Sequence, residues 1–282
     1  MHTIGIMAGS GQFPLLVARS AKAQGHRVVI CGFYDNADPA LAAYADEFIM
    51  LHLGRLGDLI KFLKKNEVTK ACMAGAISKP KAITDIKPDL RVTKLMFKLA
   101  GKAKGDDAIL RAVAEEMQNE GINIMPPDEL VPGLHVKPGI LGRHAPAPEI
   151  WQDIRYGWRI AKEVGALDIG QCVIVHNGMV VAVEGMEGTD KTLQRGRKYG
   201  GKGCTAVKVV KPGQDTRLDL PSICASTLEL LAELDYACLA FEAGGTLFFD
   251  SDQALDIAGK NNICVVAVPD DAERFFNNLS SK

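Results

Sequence analysis

Residues 3–24, TIGIMAGSGQFPLLVARSAKAQ, decide the fold. TIGIMA (3–8) is an apolar run of strand length, GSGQFP turns on two glycines, and LLVARSAKAQ repeats its apolar residues at helical spacing. The alternation continues outward. RVVICGF (27–33) and EFIML (47–51) read as strands, LGDLIKFLKKNE (56–67) as a helix, and KACMAGA (70–76) as a fourth strand. DDAILRAVAEEMQNEG (106–121) is a longer helix that stops at Gly121, where a glycine can take the left-handed turn that ends helices. Strands and helices in alternation predict a parallel sheet covered by helices on both faces.

The texture changes at 131–148, VPGLHVKPGILGRHAPAP, which is too rich in proline and glycine to be the interior of an element. We therefore expect an N-terminal domain over 1–132, a linker over 133–148 and a C-terminal domain over 149–282. The second half opens on a helix, EIWQDIRYGWRIAKEVG, and continues with QCVIVHNGMVVAVEG, two apolar strands around Asn177-Gly178, a strong hairpin signal. A helix (STLELLAELD), a second expected hairpin (YACLAFEAGGTLFFD) and a closing helix and strand (DQALDIAGKNNICVVAVP) complete a mixed α/β domain with antiparallel pairs.

Bulk properties exclude several classes. With 33 basic and 34 acidic residues the net charge is −1, which gives no general affinity for nucleic acid. The seven cysteines show no CxxC spacing and sit mostly in apolar runs such as VVICGF and NICVVAV, the pattern of reduced, buried thiols. The start, MHTIGIMAGSG, lacks a charged region ahead of a long apolar core, and no run approaches the roughly 20 apolar residues that span a bilayer. A cytoplasmic protein is expected.

Five stretches carry chemistry. In GIMAGSGQFP (5–14), Gly9, Ser10, Gly11 and Gln12 lie between strand and helix, where backbone amides can meet a phosphate. The dinucleotide fingerprint is incomplete, because position 14 is proline and Asp35 lies beyond the end of the second strand. A tight turn and a ligand cradle both remain open. AGAISKP (74–80) places Gly75 after the fourth strand, and Asp106 and Asp107 of KGDDAILR suit either an N-cap or a site. VEGMEGTDKTLQRG (183–196) brings Glu187, Thr189, Asp190 and Arg195 to a helix start. KVVKPGQDTRLDLP (208–221) interleaves Asp215 and Asp219 with Lys208, Lys211 and Arg217, either as a self-paired loop or as acids beside cations for phosphorus chemistry. The histidines show no metal-ligand spacing, and neither a GxSxG elbow nor a GxxxxGK[ST] loop is present.

MAGSGQFP, AGAISKP, KGDDAILR, LGRHAPAPE, LDIGQCVIV, VEGMEGTD and KPGQDTRLDLPSI, in that order, resemble the UDP-2,3-diacylglucosamine pyrophosphatases of the LpxI type over nearly the whole chain. The resemblance implies a Rossmann-like N-terminal domain and a distinct C-terminal α/β domain. It also implies a Mg²⁺-dependent hydrolase of lipid A biosynthesis that attacks the α-phosphorus with water, giving UMP and lipid X (2,3-diacylglucosamine 1-phosphate). Carried over, Asp219 is the essential acid and Asp215 the second; by the chemistry of the residues themselves, Glu187 or Asp190 is expected to join them in holding Mg²⁺ or its water. Gly9, Ser10, Gly11, Gln12, Gly75, Gln171, Gly188 and Thr189 become substrate contacts, and Lys208, Lys211 and Arg217 become partners of the phosphates. Cys224 departs from the glycine expected there. A lipid substrate implies peripheral contact with the cytoplasmic face of the inner membrane, and a homodimer is the default assembly. A non-enzymatic nucleotide-sugar or lipid carrier, or an NAD(P)-linked oxidoreductase, are the rival readings.

Overall fold

The computed structural model describes residues 2–77, 86–99, 106–215, 217–218 and 220–279. Residues 78–80 of AGAISKP, 104–105 of KGDDAILR, Thr216 and Asp219 therefore lie outside the described residues, as do the side chains of Asp106 and Asp107. The chain forms two compact units, a parallel-sheet α/β unit and a mixed α/β unit.

The first unit holds strands β1 (Thr3–Ala8), β2 (Arg27–Phe33), β3 (Glu47–Leu51), β4 (Lys70–Ala74) and β5 (Asn123–Ile124). They form one parallel sheet in the order β3-β2-β1-β4-β5. Both faces are covered, which explains why β1 and β2 read as continuous apolar runs and do not alternate. Ile4, Ile6, Val28 and Ile30 pack against Val17, Ala18 and Ala21 of helix α1 (Phe13–Ala23). On the other face, Met7, Val29, Cys31 and Ala71 meet α2 (Leu56–Lys65), through Leu56, Leu59, Ile60 and Leu63. Helix α3 (Leu90–Leu99) and α4 (Asp106–Asn119) complete that layer. Asp215–Asp219 also belongs to this unit, and its Leu218 is buried in the α2-side core.

The second unit is built on a six-stranded sheet in the order β6-β13-β11-β9-β7-β8. Its strands are β6 (Gly139–Leu141), β7 (Cys172–His176), β8 (Met179–Val183), β9 (Thr205–Lys208), β11 (Cys238–Glu242) and β13 (Cys264–Val268); β10 (Ser222–Ile223) and β12 (Leu247–Phe248) pair separately. One face packs on Ile154, Trp158 and Ala161 of α5 (Pro148–Ala166) and on Phe276 of α9 (Ala272–Leu279). The other packs on α6 (Thr189–Gly200), α7 (Ala225–Glu233) and α8 (Ser251–Lys260), through Leu193, Leu228, Leu231, Ala254 and Ala258. The hairpin at Asn177-Gly178 forms as expected, with positive φ at both turn residues.

Two expectations are corrected. The proline-rich stretch is not wholly a connector: Gly139–Leu141 pairs antiparallel with β13 as an edge strand, a position that tolerates the neighbouring Pro138. The second hairpin does not form. CLAFE (β11) is buried at every residue and lies between two parallel neighbours, β9 and β13, while β12 leaves to pair with β10. All seven cysteines are free, and only Cys224 is not buried. No described helix is long and apolar enough to cross a membrane.

Candidate functional site

In the first unit the chain runs β1, β2, β3 in one direction and then crosses back to place β4 on the other side of β1. Loops leaving the carboxyl ends of β1 and β4 therefore flank the point where strand order reverses, the usual ligand position of open α/β sheets. There the two glycine loops lock together. The Gly9 amide donates to the Ala74 carbonyl (2.8 Å), the Ser10 amide to Ala76 (2.8 Å), and the Ala76 amide back to Ser10 (3.1 Å). The Ser10 hydroxyl adds a bond to the Ala76 carbonyl (2.9 Å). A Cβ at Gly9 would stand 2.4 Å from the Ala76 oxygen, and one at Gly75 would stand 2.4 Å from the Ser10 oxygen, with Gly75 also at φ +86°. Both positions need glycine because backbone meets backbone. Gly11, also at positive φ, faces open space. Gln12 precedes α1, whose first turn carries neither a side-chain cap from Gln12 nor an acidic residue to offset the positive end of the helix dipole.

In the loop assigned to the same unit, Arg217 grips Asp215 in a two-pronged pair: Nε donates to Oδ1 at 2.9 Å and a terminal nitrogen to Oδ2 at 2.6 Å. The Arg217 amide also donates to Asp215 Oδ1 (3.1 Å). The Arg217 side-chain bonds hold the Asp215 carboxyl below its usual range against an opposing desolvation, and the Arg111 charge adds to the effect. The same pair pushes the Arg217 guanidinium up.

The second unit gathers polar side chains at one edge of its sheet. The register aligns Lys208, the last residue of β9, with Phe241 on one side and Cys172 on the other. Since β7 runs antiparallel to both β9 and β8, that edge collects Glu242, Lys208, Gln171 and Glu184 from four adjacent strands. Glu184 is only 7% exposed. One of its oxygens accepts from the Thr189 hydroxyl (3.1 Å), the other from the Gln171 amide (3.2 Å). Thus one buried carboxylate ties together two residues that the sequence pointed to separately. The Gln171 Oε1 atom is buried with no hydrogen-bond partner. Burial, and then the Glu184 charge, push the neighbouring Cys172 thiol far up, while Lys208 pulls the other way.

The lysines of this edge are engaged, and Lys208 and Lys211 are buried. Lys208 donates to the Ser222 carbonyl (2.9 Å) and Lys211 to Asp168 (2.6 Å). Lys162 donates to the buried Glu242 (2.6 Å), which also accepts the Val210 amide (2.8 Å) and so fixes the start of the 210–214 segment. At the head of α6, Gly188 takes φ +82°. Glu187 accepts from Arg195, from the Thr192 hydroxyl (3.3 Å) and from the Gly185 amide (3.2 Å). Although desolvation opposes it, the bonds from its own backbone amide, Arg195 and Thr192 hold the Glu187 carboxyl below its usual range. Asp190 is exposed in the first turn of α6.

The structure therefore joins Gly9–Gln12 with Gly75, joins Gln171 with Thr189, and pairs Asp215 with Arg217. Among the described residues it gathers no cluster of three His, Cys, Asp or Glu side chains fit for a metal. Sequence reading missed Glu184, Glu242, Lys162 and Asp168. A signal existed for Glu242, a lone charge ending the fully buried strand CLAFE, but not for Glu184, which follows the half-buried edge strand β8.

Residues 3–134 match the family model described as the LpxI N-terminal domain, and residues 137–266 match the LpxI C-terminal domain. The chain is 35% identical over 278 residues to the UDP-2,3-diacylglucosamine pyrophosphatase LpxI of Caulobacter vibrioides, covering 95% of this chain and 98% of that one. Among solved structures, phosphoribosylglycinamide synthetase of Anaerococcus prevotii aligns with 64% of the chain at 11% identity and a TM-score of 0.26. N5-carboxyaminoimidazole ribonucleotide synthetase of Thermotoga maritima aligns with 66% at 17% identity and a TM-score of 0.27. The alignments span only 38% and 43% of those two chains, and likenesses this weak carry no argument.

Proposed function

The chain belongs to the LpxI family, and from that premise we propose that it hydrolyses the diphosphate of UDP-2,3-diacylglucosamine to UMP and lipid X in lipid A biosynthesis. The observation that carries this reading is the end-to-end similarity to a relative named for that pyrophosphatase. The water oxygen bonds to the α-phosphorus, the bond from that phosphorus to the bridging oxygen breaks, and the bridging oxygen departs with the sugar phosphate. Asp219 orients the water and takes up its proton, with Asp215 as the second acid.

The phosphates bring negative charge that the cations of this chain meet. Lys208, Lys211 and Arg217 exchange the Ser222 carbonyl, Asp168 and Asp215 for phosphate oxygens. Gly9, Ser10, Gly11 and Gln12 contact the substrate across from Gly75: Gly11 and Gln12 offer their backbone amides beside the start of α1, while Gly9 and Ser10, whose amides bond to Ala74 and Ala76, hold the loop in place. Gln171, Gly188 and Thr189 contact it at the second sheet, and the unpartnered Gln171 oxygen suits a hydroxyl or amide donor of the sugar.

Carboxylate oxygens are the hard donors that Mg²⁺ takes, and Asp219, Asp215, Glu187 and Asp190 are the carboxylates we assign to it by that chemistry. Mg²⁺ bound there would offset charge on the diphosphate. We place the reaction in the cytoplasm.

The test is an assay of UMP release from the diacyl substrate with Mg²⁺ and with a chelator. Wild type is expected to turn over only with Mg²⁺, and Asp219→Ala to lose roughly a hundredfold or more. Near-normal turnover in Asp219→Ala would remove the assigned acid. Tight substrate binding by wild type without UMP release would instead favour the carrier.

A further inference from the structure

The outer face of α3 is the least expected surface of the first unit. Leu90 is 81% exposed and Phe97 is 78% exposed, with Met96 at 43% beside them. Leu90, Lys94, Phe97 and Lys98 follow the i, i+4, i+7, i+8 spacing that puts them on one side of the helix, and both lysines are exposed. The rest of the helix is firmly held, Val92 on the opposite side and Arg91 on the flank next to Lys98. Val92 is buried in the α2-side core, and Arg91 pairs with Glu116 (2.9 Å) and Glu120 (2.6 Å) of the α4 segment. Asp89 accepts the Arg91 and Val92 amides (3.0 and 2.9 Å) and also the Gly57 amide at the head of α2 (2.5 Å). One carboxylate thus caps two helices and fixes which side of α3 turns outward.

We propose that this face docks on an anionic phospholipid surface. Large apolar side chains left in water beside lysines match a helix lying at a membrane interface. There the apolar groups enter the acyl boundary, and the lysine stems follow them while the ammonium groups stay among the headgroups. The charge sign selects the partner, since Lys94 and Lys98 complement anionic headgroups. The contact is peripheral, because no described helix can span the bilayer. This inference rests on the reading that the substrate is a lipid, which must be taken from a membrane.

Flotation with vesicles tests it, using phosphatidylglycerol mixed into phosphatidylcholine against phosphatidylcholine alone. Wild type is expected to float with the anionic vesicles and to be released by salt. Leu90→Glu/Phe97→Glu and Lys94→Glu/Lys98→Glu are each expected to lower the bound fraction about tenfold or more. Because these positions face solvent, UMP release from detergent-dispersed substrate should stay within about twofold of wild type, a surface change being nearly neutral for the fold. Unchanged flotation of both variants overturns the proposal, as does a wild type that ignores anionic vesicles. So does a wild-type dimer that Phe97→Glu dissociates, since a second copy would then cover the face. Vesicle binding without any UMP release would leave this inference standing and defeat the catalytic reading alone.

Discussion

Glu184 shows how one buried group can organise several of the proposed contact positions. Its two oxygens hold the Thr189 hydroxyl and the Gln171 amide, and it sits at the sheet edge where it influences Cys172. Removing the carboxylate strands two donors in a place that excludes water, at a cost of about 1–3 kcal/mol for each unsatisfied group. Glu184→Ala is therefore expected to melt several degrees lower and to raise KM for the diacyl substrate more than it lowers kcat, because the groups it releases are proposed contacts and not the attacking acid. Glu184→Gln keeps an acceptor for one donor and should recover part of both losses. A stability loss with KM unchanged in both variants would reduce Glu184 to a structural role. The residue was illegible in advance for a physical reason. A lone glutamate after VVAV looks like the solvated end of a strand, and its burial comes from β7 and the head of α6, which the local sequence does not reveal.

At the scale of elements, the paired glycine loops make the clearest claim. Gly75→Ala suffers both a left-handed backbone and a Cβ 2.4 Å from the Ser10 carbonyl, whereas Gly11→Ala meets only the backbone cost because its Cβ would face open space. We expect Gly11→Ala to lose about 1 kcal/mol of stability and Gly75→Ala clearly more, about 2–4 kcal/mol, read from denaturant midpoints. Equal losses would mean that the loops do not lock as described. These elements were readable from sequence because doubly covered parallel strands have an unmistakable apolar continuity, and Asn177-Gly178 carries its turn chemistry in two residues. The false hairpin in YACLAFEAGGTLFFD came from the same kind of evidence. Gly244-Gly245 does turn the chain, but full burial of CLAFE required a neighbour on each side, and β9 and β13 fill both places. The strand in the proline-rich stretch escaped notice because three residues on a sheet edge leave almost no periodic signal.

For the whole molecule, the two sheets present different chemistries. The first presents interlocked glycine loops at the carboxyl ends of β1 and β4, and the second presents a row of charges, each already partnered. The segment 215–219 belongs to the first unit although its neighbours in sequence belong to the second, a placement decided by burial of Leu218 and invisible in the local pattern. Family membership joins these features into one proposed reaction, whose defining step is attack of water on the α-phosphorus. Turnover in ¹⁸O-labelled water, with mass spectrometry of both products, tests that step directly. The account predicts one heavy oxygen in UMP and none in lipid X; label in lipid X, or turnover that releases no UMP, would contradict it.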